Sequence, residues 1–527
     1  MYQNFYNGFQ YNSCVSKGIC SISPRISALQ TVLVLYLRLF AKYATKIKKH
    51  FNIKQETKNF LLNTISTTIY NPDFNDQSFL FAVEKFKEEL PILIEEYEKS
   101  NDNENLEIEK AKAYELFNIS KNLNDVIKFG EKMFNRGQEQ IPNEIKDLYN
   151  IILVISKSIS ISLLDLESFD ENYEEAFQTV LRLLSQIDLE IKDMDTLKQE
   201  IIIASEVDNK VLQLLRETQE KHYGIQNKTE VSYSTTPAKA VLAVGTNIKE
   251  LENIVEALKD EEIDIYTHDD MIIAHTFPKF SNYPRLKGQF GQGVENCLLD
   301  FATFPGPIIL TKHSLHNIEN FYRGLLFTTD YATSPKGVIK IENNDFKKVI
   351  ESALESRGFK TGKQCESVEI GYNYQEECSN IKKMLETNLY EQIFIIGIDN
   401  YSLEQRTYFE KLVKFTPKNV LIISFSYDFA QENVIFINSC FDSYSLTRFF
   451  DFVQNFEKKI TIFIPKCERN SVPQMIYLSQ FKNTTIYVGK CTPIILNPSL
   501  IKTLQATFGI KSMSSAKKDL EVILENK

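Results

Sequence analysis

Residues 241–266 read VLAVGTNIKELENIVEALKDEEIDIY. A short apolar, β-branched run (241–244) stops at Gly245, a helical pattern follows over residues 248–259, and a second short run rich in isoleucine opens at Ile263. Apolar strands interleaved with helices argue for a parallel sheet covered on both faces, because strands buried on two sides carry no polar alternation.

The same alternation continues downstream. Apolar runs recur at residues 307–310, 393–397, 420–425, 460–464 and 485–488, with helical stretches between them, which predicts two α/β domains joined near residue 385. Upstream the period changes. From Pro24 to about Glu220 apolar residues fall three and four apart with charges between them, most plainly over 27–43, 79–98, 105–129 and 173–189, and strand signals are scarce. Polar breaks are expected at 100–104 and 135–142. Residues 226–239, rich in Ser, Thr and Pro, read as a linker or crossing loop. The domains predicted are therefore a helical one over 1–225, an α/β one over 226–385 and a second α/β one over 386–527.

Length agrees, since 527 residues at roughly 150 per domain give about three or four. With 43% hydrophobic and 25% charged residues the chain is ordinary globular material, not disordered, collagen-like or coiled-coil. A net charge of -10 argues against a broad electrostatic grip on nucleic acid or an anionic membrane, and leaves small molecules or proteins as partners. The longest apolar run near the N-terminus, 32–37 with a resumption at Leu39, is short of the ~18 residues that a membrane span needs, so it reads as a buried helix. Residues 1–20 carry neither a basic n-region nor a transit-peptide character, and a cytoplasmic location is expected. Eight cysteines in a chain of this length are too few for a disulfide scaffold, so reduced thiols are expected, and the open question is whether they hold a metal.

Three motifs bear on chemistry. Gly288, Gly291 and Gly293 follow no clear strand, lack the Walker lysine and miss the dinucleotide spacing, so a tight loop near a cavity outweighs a phosphate loop. His268, Asp269 and Asp270 end the run that opens at Ile263, with His275 close by and His313 and His316 after a later strand. They lie at the edge where α/β sheets place ligands, although solvation or helix capping is the ordinary reading of such a cluster. Cys14 and Cys20 form a Cys-x5-Cys pair, half of what a cubane needs. The other thiols, Cys297, Cys365, Cys378, Cys440, Cys467 and Cys491, are scattered and read by spacing as small core residues.

Ser13-Cys14-Val15-Ser16-Lys17-Gly18-Ile19-Cys20, followed by Pro24 and Ala28-Leu29-Gln30, resembles the N-terminal cluster motif of the hybrid cluster proteins, the prismane or hydroxylamine reductase family. A longer match begins with IDIYTHDDM (263–271), continues through IIAHTFPKFSNYPRLKGQFGQG (272–293) and FPGPIILT (304–311), and reaches Phe327-Thr328-Thr329; it is similar to the family's VYTHGEM, GNYGG, FPGPIL-T and TTG series in the same order. NSCFDSYS (438–445) resembles the family's QCNDAYS. The resemblance implies a multidomain α plus α/β fold, with a helical N-terminal domain followed by two Rossmann-like α/β domains. It also implies an N-terminal iron–sulfur cubane, a hybrid iron–sulfur–oxygen cluster between the domains, and reduction of hydroxylamine to ammonia.

Residue by residue, most of the implied ligands are missing. Cys14 and Cys20 match the last two cubane cysteines, and Met1-Tyr2-Gln3-Asn4-Phe5-Tyr6 supplies none for the first two. At the hybrid cluster the expected histidine falls on Thr246, the YTHGEM glutamate on Asp270, and the cysteines on Ser314, Ile398, about Ser424, and Cys440. Glu468 matches the last glutamate ligand, while Asn470 replaces a lysine two positions beyond it. One thiolate does not hold a four-iron cluster, so the expectation is no hybrid cluster and no cofactor. The alternatives are an iron–sulfur cluster completed by another chain through Cys14 and Cys20, or a single metal ion on Asp270, Cys440 and Glu468, which would want one more ligand. The expected protein is a catalytically degenerate homologue acting as a structural, binding or regulatory subunit beside a protein partner or an intact paralogue, its oligomeric state open. The competing expectation is a divergent metal-dependent oxidoreductase acting on hydroxylamine or another small nitrogen oxide.

Overall fold

The computed structural model describes residues 24–47, 53–67, 76–100, 115–119, 122–187, 193–291, 297–312, 325–329, 338–398, 403–439, 444–465, 470–489 and 498–525. The chain divides into two compact units, one of residues 1–211 and 310–343, the other of 212–309 and 344–527.

The first unit is mainly helical: α1 (Pro24–Ala44), α2 (Gln55–Thr67), α3 (Asp76–Ser100), α4 (Leu123–Gln140), α5 (Asn143–Glu167), α6 (Glu174–Gln186) and the start of α7 (Met194–Tyr223). Helix α1 packs against α3, α4 and α6, and α5 against α2 and α6. Its aromatic residues organise the contact: Tyr36 stacks on Phe86 at 5.2 Å and donates its hydroxyl to Leu116 O at 2.7 Å. The periods read over 27–43, 79–98 and 173–189 correspond to α1, α3 and α6. Of the helix expected over 105–129, residues 105–114 and 120–121 lie outside the described residues; 115–117 are helical, and α4 starts at Leu123, where the Asn122 side chain accepts from Asn124 N–H and caps the turn. The break expected over 135–142 shrinks to its last residues, because α4 runs to Gln140 and Pro142 precedes α5. Helix α5 is buried over every residue from Ile145 to Leu166, serines and charged residues included. It is the only helix among the described residues long and apolar enough to cross a membrane, and it lies inside the protein. In the 310–343 segment, β6 (Leu326–Thr328) pairs in parallel with β7 (Ile339–Lys340).

The second unit carries the parallel sheets. In the first, strands run in the order β4 (Leu286–Gln289), β3 (Ile263–His268), β2 (Lys239–Val244), β5 (Ile308–Leu310), with α8 (Ile248–Leu258) crossing from β2 to β3. The other has the order β11 (Val434–Phe436), β10 (Val420–Ser424), β9 (Gln392–Ile396), β12 (Lys459–Ile464), β13 (Thr484–Val488), β14 (Lys511–Ser512). In each, the first strand has one parallel neighbour reached by going one way and another reached after the order reverses. Such a reversal, beyond the strands' carboxyl ends, is where open α/β sheets ordinarily take ligands. Helices α9 (Cys297–Thr303), α10 (Lys347–Glu355), α11 (Tyr374–Glu386), α12 (Leu403–Phe415), α13 (Ser445–Val453), α14 (Ser471–Ser479), α15 (Pro498–Phe508) and α16 (Ala516–Glu525) complete the unit. The core of the second sheet packs Phe394, Ile396 and Phe463 against Phe409 and Leu412 of α12 and Leu520 of α16.

Two readings change here. The segment 226–239 is not only a linker: β1 (Thr229–Ser232) pairs antiparallel with β8 (Ser367–Ile370), a partner more than a hundred residues away that no local pattern announces. Gly288 lies inside a strand, β4, where a Cβ would collide with the Ser232 carbonyl oxygen, so this glycine serves the close approach of β1 to β4.

Candidate functional site

Strands β2 and β3 pair in parallel with Val244 opposite His268. Thr246 and Asp270 each lie two residues past those ends, so adjacent strands deliver them to one sheet edge. Thr246 is half-buried and is followed by Asn247, whose side chain caps α8 by accepting Glu250 N–H at 2.9 Å. Asp269 holds a left-handed backbone, φ 62°, at the position where the resembled YTHGEM motif has glycine. Asp and Asn tolerate this conformation better than other side chains because a short polar group bonds locally. Asp269 thus supplies the left-handed turn that presents Asp270.

A buried chain of hydrogen bonds ends on that turn. His275 Nε2 lies 2.9 Å from Thr267 Oγ1, Thr267 donates to Gln289 Oε1 at 2.6 Å, and Gln289 Nε2 donates to Asp269 O at 3.0 Å. Burial holds the His275 imidazole down at about 4, so it is neutral at pH 7. With the Thr267 proton committed to Gln289, the tautomer that fits has Nε2–H donating to Thr267. His268, wholly buried, places Nε2 3.1 Å from Asp300 Oδ2 and its ring 5.2 Å from Phe301. Asp300 lies against Gly291, whose φ of 82° and lack of a Cβ the contact requires. Thr267, Gln289 and Asp300 were not singled out in the sequence; the glycine at 291 was the one local sign that something packs there.

At the second sheet, Ile396 of β9 pairs with Ser424 of β10 and with Phe463 of β12. Ile398, two residues past β9, is half-buried. Ser424 is wholly buried with its Oγ accepting Tyr427 N–H at 3.1 Å, and Ser426 Oγ donates to Gly397 O at 2.6 Å. The remaining predicted positions, Cys14, Cys20, Ser314, Cys440 and Glu468, lie outside the described residues, as do His313 and His316.

The described donors can be matched against an iron–sulfur centre. Such clusters are held by thiolates, which are soft ligands, whereas Thr246 and Ser424 offer hydroxyls and Ile398 offers no donor. Asp270 alone brings a carboxylate. Among the described residues no group of three His, Cys, Asp or Glu side chains is placed to hold a metal ion. At these described positions the donor set does not fit the cluster.

Comparison with known proteins gives the relationship. The protein named hydroxylamine reductase from Thermodesulfovibrio yellowstonii (strain ATCC 51303 / DSM 11347 / YP87) is 25% identical, over 97% of this chain and 98% of its own length. Those of Acidiphilium cryptum (strain JF-5) and Methanocella arvoryzae (strain DSM 22066 / NBRC 105507 / MRE50) are 23% and 22% identical, covering 96% and 97% of this chain and 94% and 97% of their own. Among solved structures, one described as NiZn[Fe4S4] and NiNi[Fe4S4] clusters in closed and open alpha subunits of acetyl-CoA synthase/carbon monoxide dehydrogenase aligns over 97% of this chain and 84% of that one, at 11% identity and a TM-score of 0.47. The sequence pattern of the Prismane/CO dehydrogenase family matches residues 10–436, and the chain belongs to that family.

Proposed function

We propose that this chain is a catalytically degenerate relative of the hydroxylamine reductases, lacking the hybrid cluster and acting in the cytoplasm as a structural, binding or regulatory protein beside a protein partner or an intact paralogue. In this reading it retains the family's three-part arrangement, helical over 1–225 and α/β over 226–385 and 386–527. The observation that carries the reading is at the ends of β9 and β10, where Ile398 stands at a position, and the hydrogen-bonded Ser424 at about a position, that the resemblance gives to thiolates. The four irons of a hybrid cluster would then lack their soft ligands on this side.

The turn geometry of Asp269 favours a second reading, a divergent metal-dependent oxidoreductase acting on hydroxylamine or another small nitrogen oxide. Its metal would draw on Asp270, Cys440 and Glu468, with Cys14 and Cys20 as the remnant N-terminal pair. One measurement separates the two. Protein prepared anaerobically is assayed for iron and acid-labile sulfide, with an absorption spectrum and hydroxylamine turnover. The first reading expects near-zero iron and sulfide; near-stoichiometric amounts of both, with hydroxylamine reduced, would refute it.

A further inference from the structure

The carboxyl edge of a doubly wound sheet is ordinarily left open for a ligand at the point where the strand order reverses. Around β9 that edge is laced together. Phe425 N–H donates to Ile396 O at 2.9 Å and Gly397 N–H to Phe463 O at 2.8 Å, extending the ladder past the strand ends on both sides of β9. Ser426 Oγ reaches back from the β10 side to Gly397 O at 2.6 Å, so the Gly397 peptide is bonded through its N–H to β12 and through its carbonyl to the turn after β10. Ser424 Oγ, wholly buried, closes that turn on itself by accepting Tyr427 N–H at 3.1 Å. A methyl of Leu446, at the start of α13, covers Gly397 so closely that a Cβ there would lie 2.9 Å from it.

We infer that the Ser426 hydroxyl, carried on a turn that Ser424 closes behind it, clamps the carboxyl ends of β9 and β10 together, taking over by hydrogen bonds a junction that the proposed loss of cluster ligands leaves without metal. The inference rests on that proposal for its origin and not for its test. Both hydroxyls are buried, and each removal takes a hydrogen bond from a peptide N–H or carbonyl in a place where lost polar contacts are costly. No ordinary surface serine behaves this way.

The test uses the full chain with Ser424→Ala and Ser426→Ala, singly and together, followed by thermal unfolding and amide hydrogen exchange. Each alanine is expected to lower Tm by about 2–4 °C, the shift that one lost hydrogen bond gives a folding unit of this size. Ser424→Ala should in addition speed exchange of the Tyr427 amide at least tenfold beyond the change shared by the β12 amides. Alanine variants that unfold at the wild-type temperature, or a Tyr427 amide that exchanges no faster than its neighbours, would overturn the clamp. Iron in the wild-type protein would sink the loss-of-cluster proposal and leave the clamp to be judged by the alanine variants alone.

Discussion

Arg448 and Glu220, 228 positions apart, form a forked ion pair, Nη1 to Oε1 at 2.8 Å and Nη2 to Oε2 at 3.3 Å, while the Arg448 guanidinium lies 4.0 Å from the centre of the Tyr374 ring. The pair ties the last turns of α7 to α13, with 17% and 15% of the two side chains exposed. Planar guanidinium suits both contacts, and an ammonium does not. Arg448→Ala should lower stability by about 2–4 kcal/mol, because Glu220 would stay mostly buried without its countercharge. Arg448→Lys should recover less than half of that. Urea denaturation at pH 7 checks both, and an alanine variant as stable as the wild type would show the pair to be idle.

Asp451, on α13, is largely buried, and burial pushes its carboxyl up to about 6, although Tyr477 Oη (3.5 Å) and Gln454 Nε2 (3.3 Å) approach it and Arg448 lies one turn away. A raised folded pKa means the native state holds its proton longer than the unfolded chain. The contribution is complete below about pH 4 and is lost as pH climbs through 6. Asp451→Asn should therefore stabilise at pH 7 by about 1–2 kcal/mol after allowance for solvent screening, with no gain at pH 4. Unfolding midpoints of the two proteins at both pH values decide it.

Lys157, within α5, is wholly enclosed, and burial holds its ammonium down to about 7 from an ordinary 10.5. Between those values the unfolded chain binds the proton and the folded one does not, so stability should rise with pH from 7 towards 10.5. Lys157→Met should flatten that rise. A wild-type urea midpoint no higher at pH 9.5 than at pH 7, once compared with the variant, would contradict this account.

Asp269 offers a backbone test. Its φ of 62° suits glycine or a short polar side chain. Asp269→Gly is expected to leave stability within about 0.5 kcal/mol, since relief of the left-handed strain offsets the added freedom of the unfolded chain. Asp269→Val should cost about 1–2 kcal/mol or more. Thermal melts of the pair, with the wild type alongside, read the difference directly.

Legibility in the sequence followed how local each feature is. The runs at 241–244, 263–266, 393–397, 420–425 and 460–464 announced β2, β3, β9, β10 and β12 because a strand buried on both faces is apolar throughout. Strands β1, β4, β7, β8 and β14 were silent, being two to four residues long and defined by partners elsewhere in the chain. Helix α5 was obscured differently. Buried all round, it shows no polar face, and its serines and lysines break the apolar stripe by which a surface helix is recognised.

The candidate site divides along the same line. Residue identity at Thr246, Asp270, Ile398 and Ser424 is written in the sequence, and with it the absence of thiolates at those positions, because ligand chemistry belongs to the side chain alone. Tertiary structure alone decided that Val244 and His268 pair, so that Thr246 and Asp270 share one edge, and that Thr267, Gln289 and His275 converge on Asp269. It likewise decided that Ser426, just past β10, bonds to Gly397 at the end of the adjacent strand β9. Hydrogen bonds between residues twenty or thirty positions apart depend on strand register, and register is set by which faces the whole sheet buries.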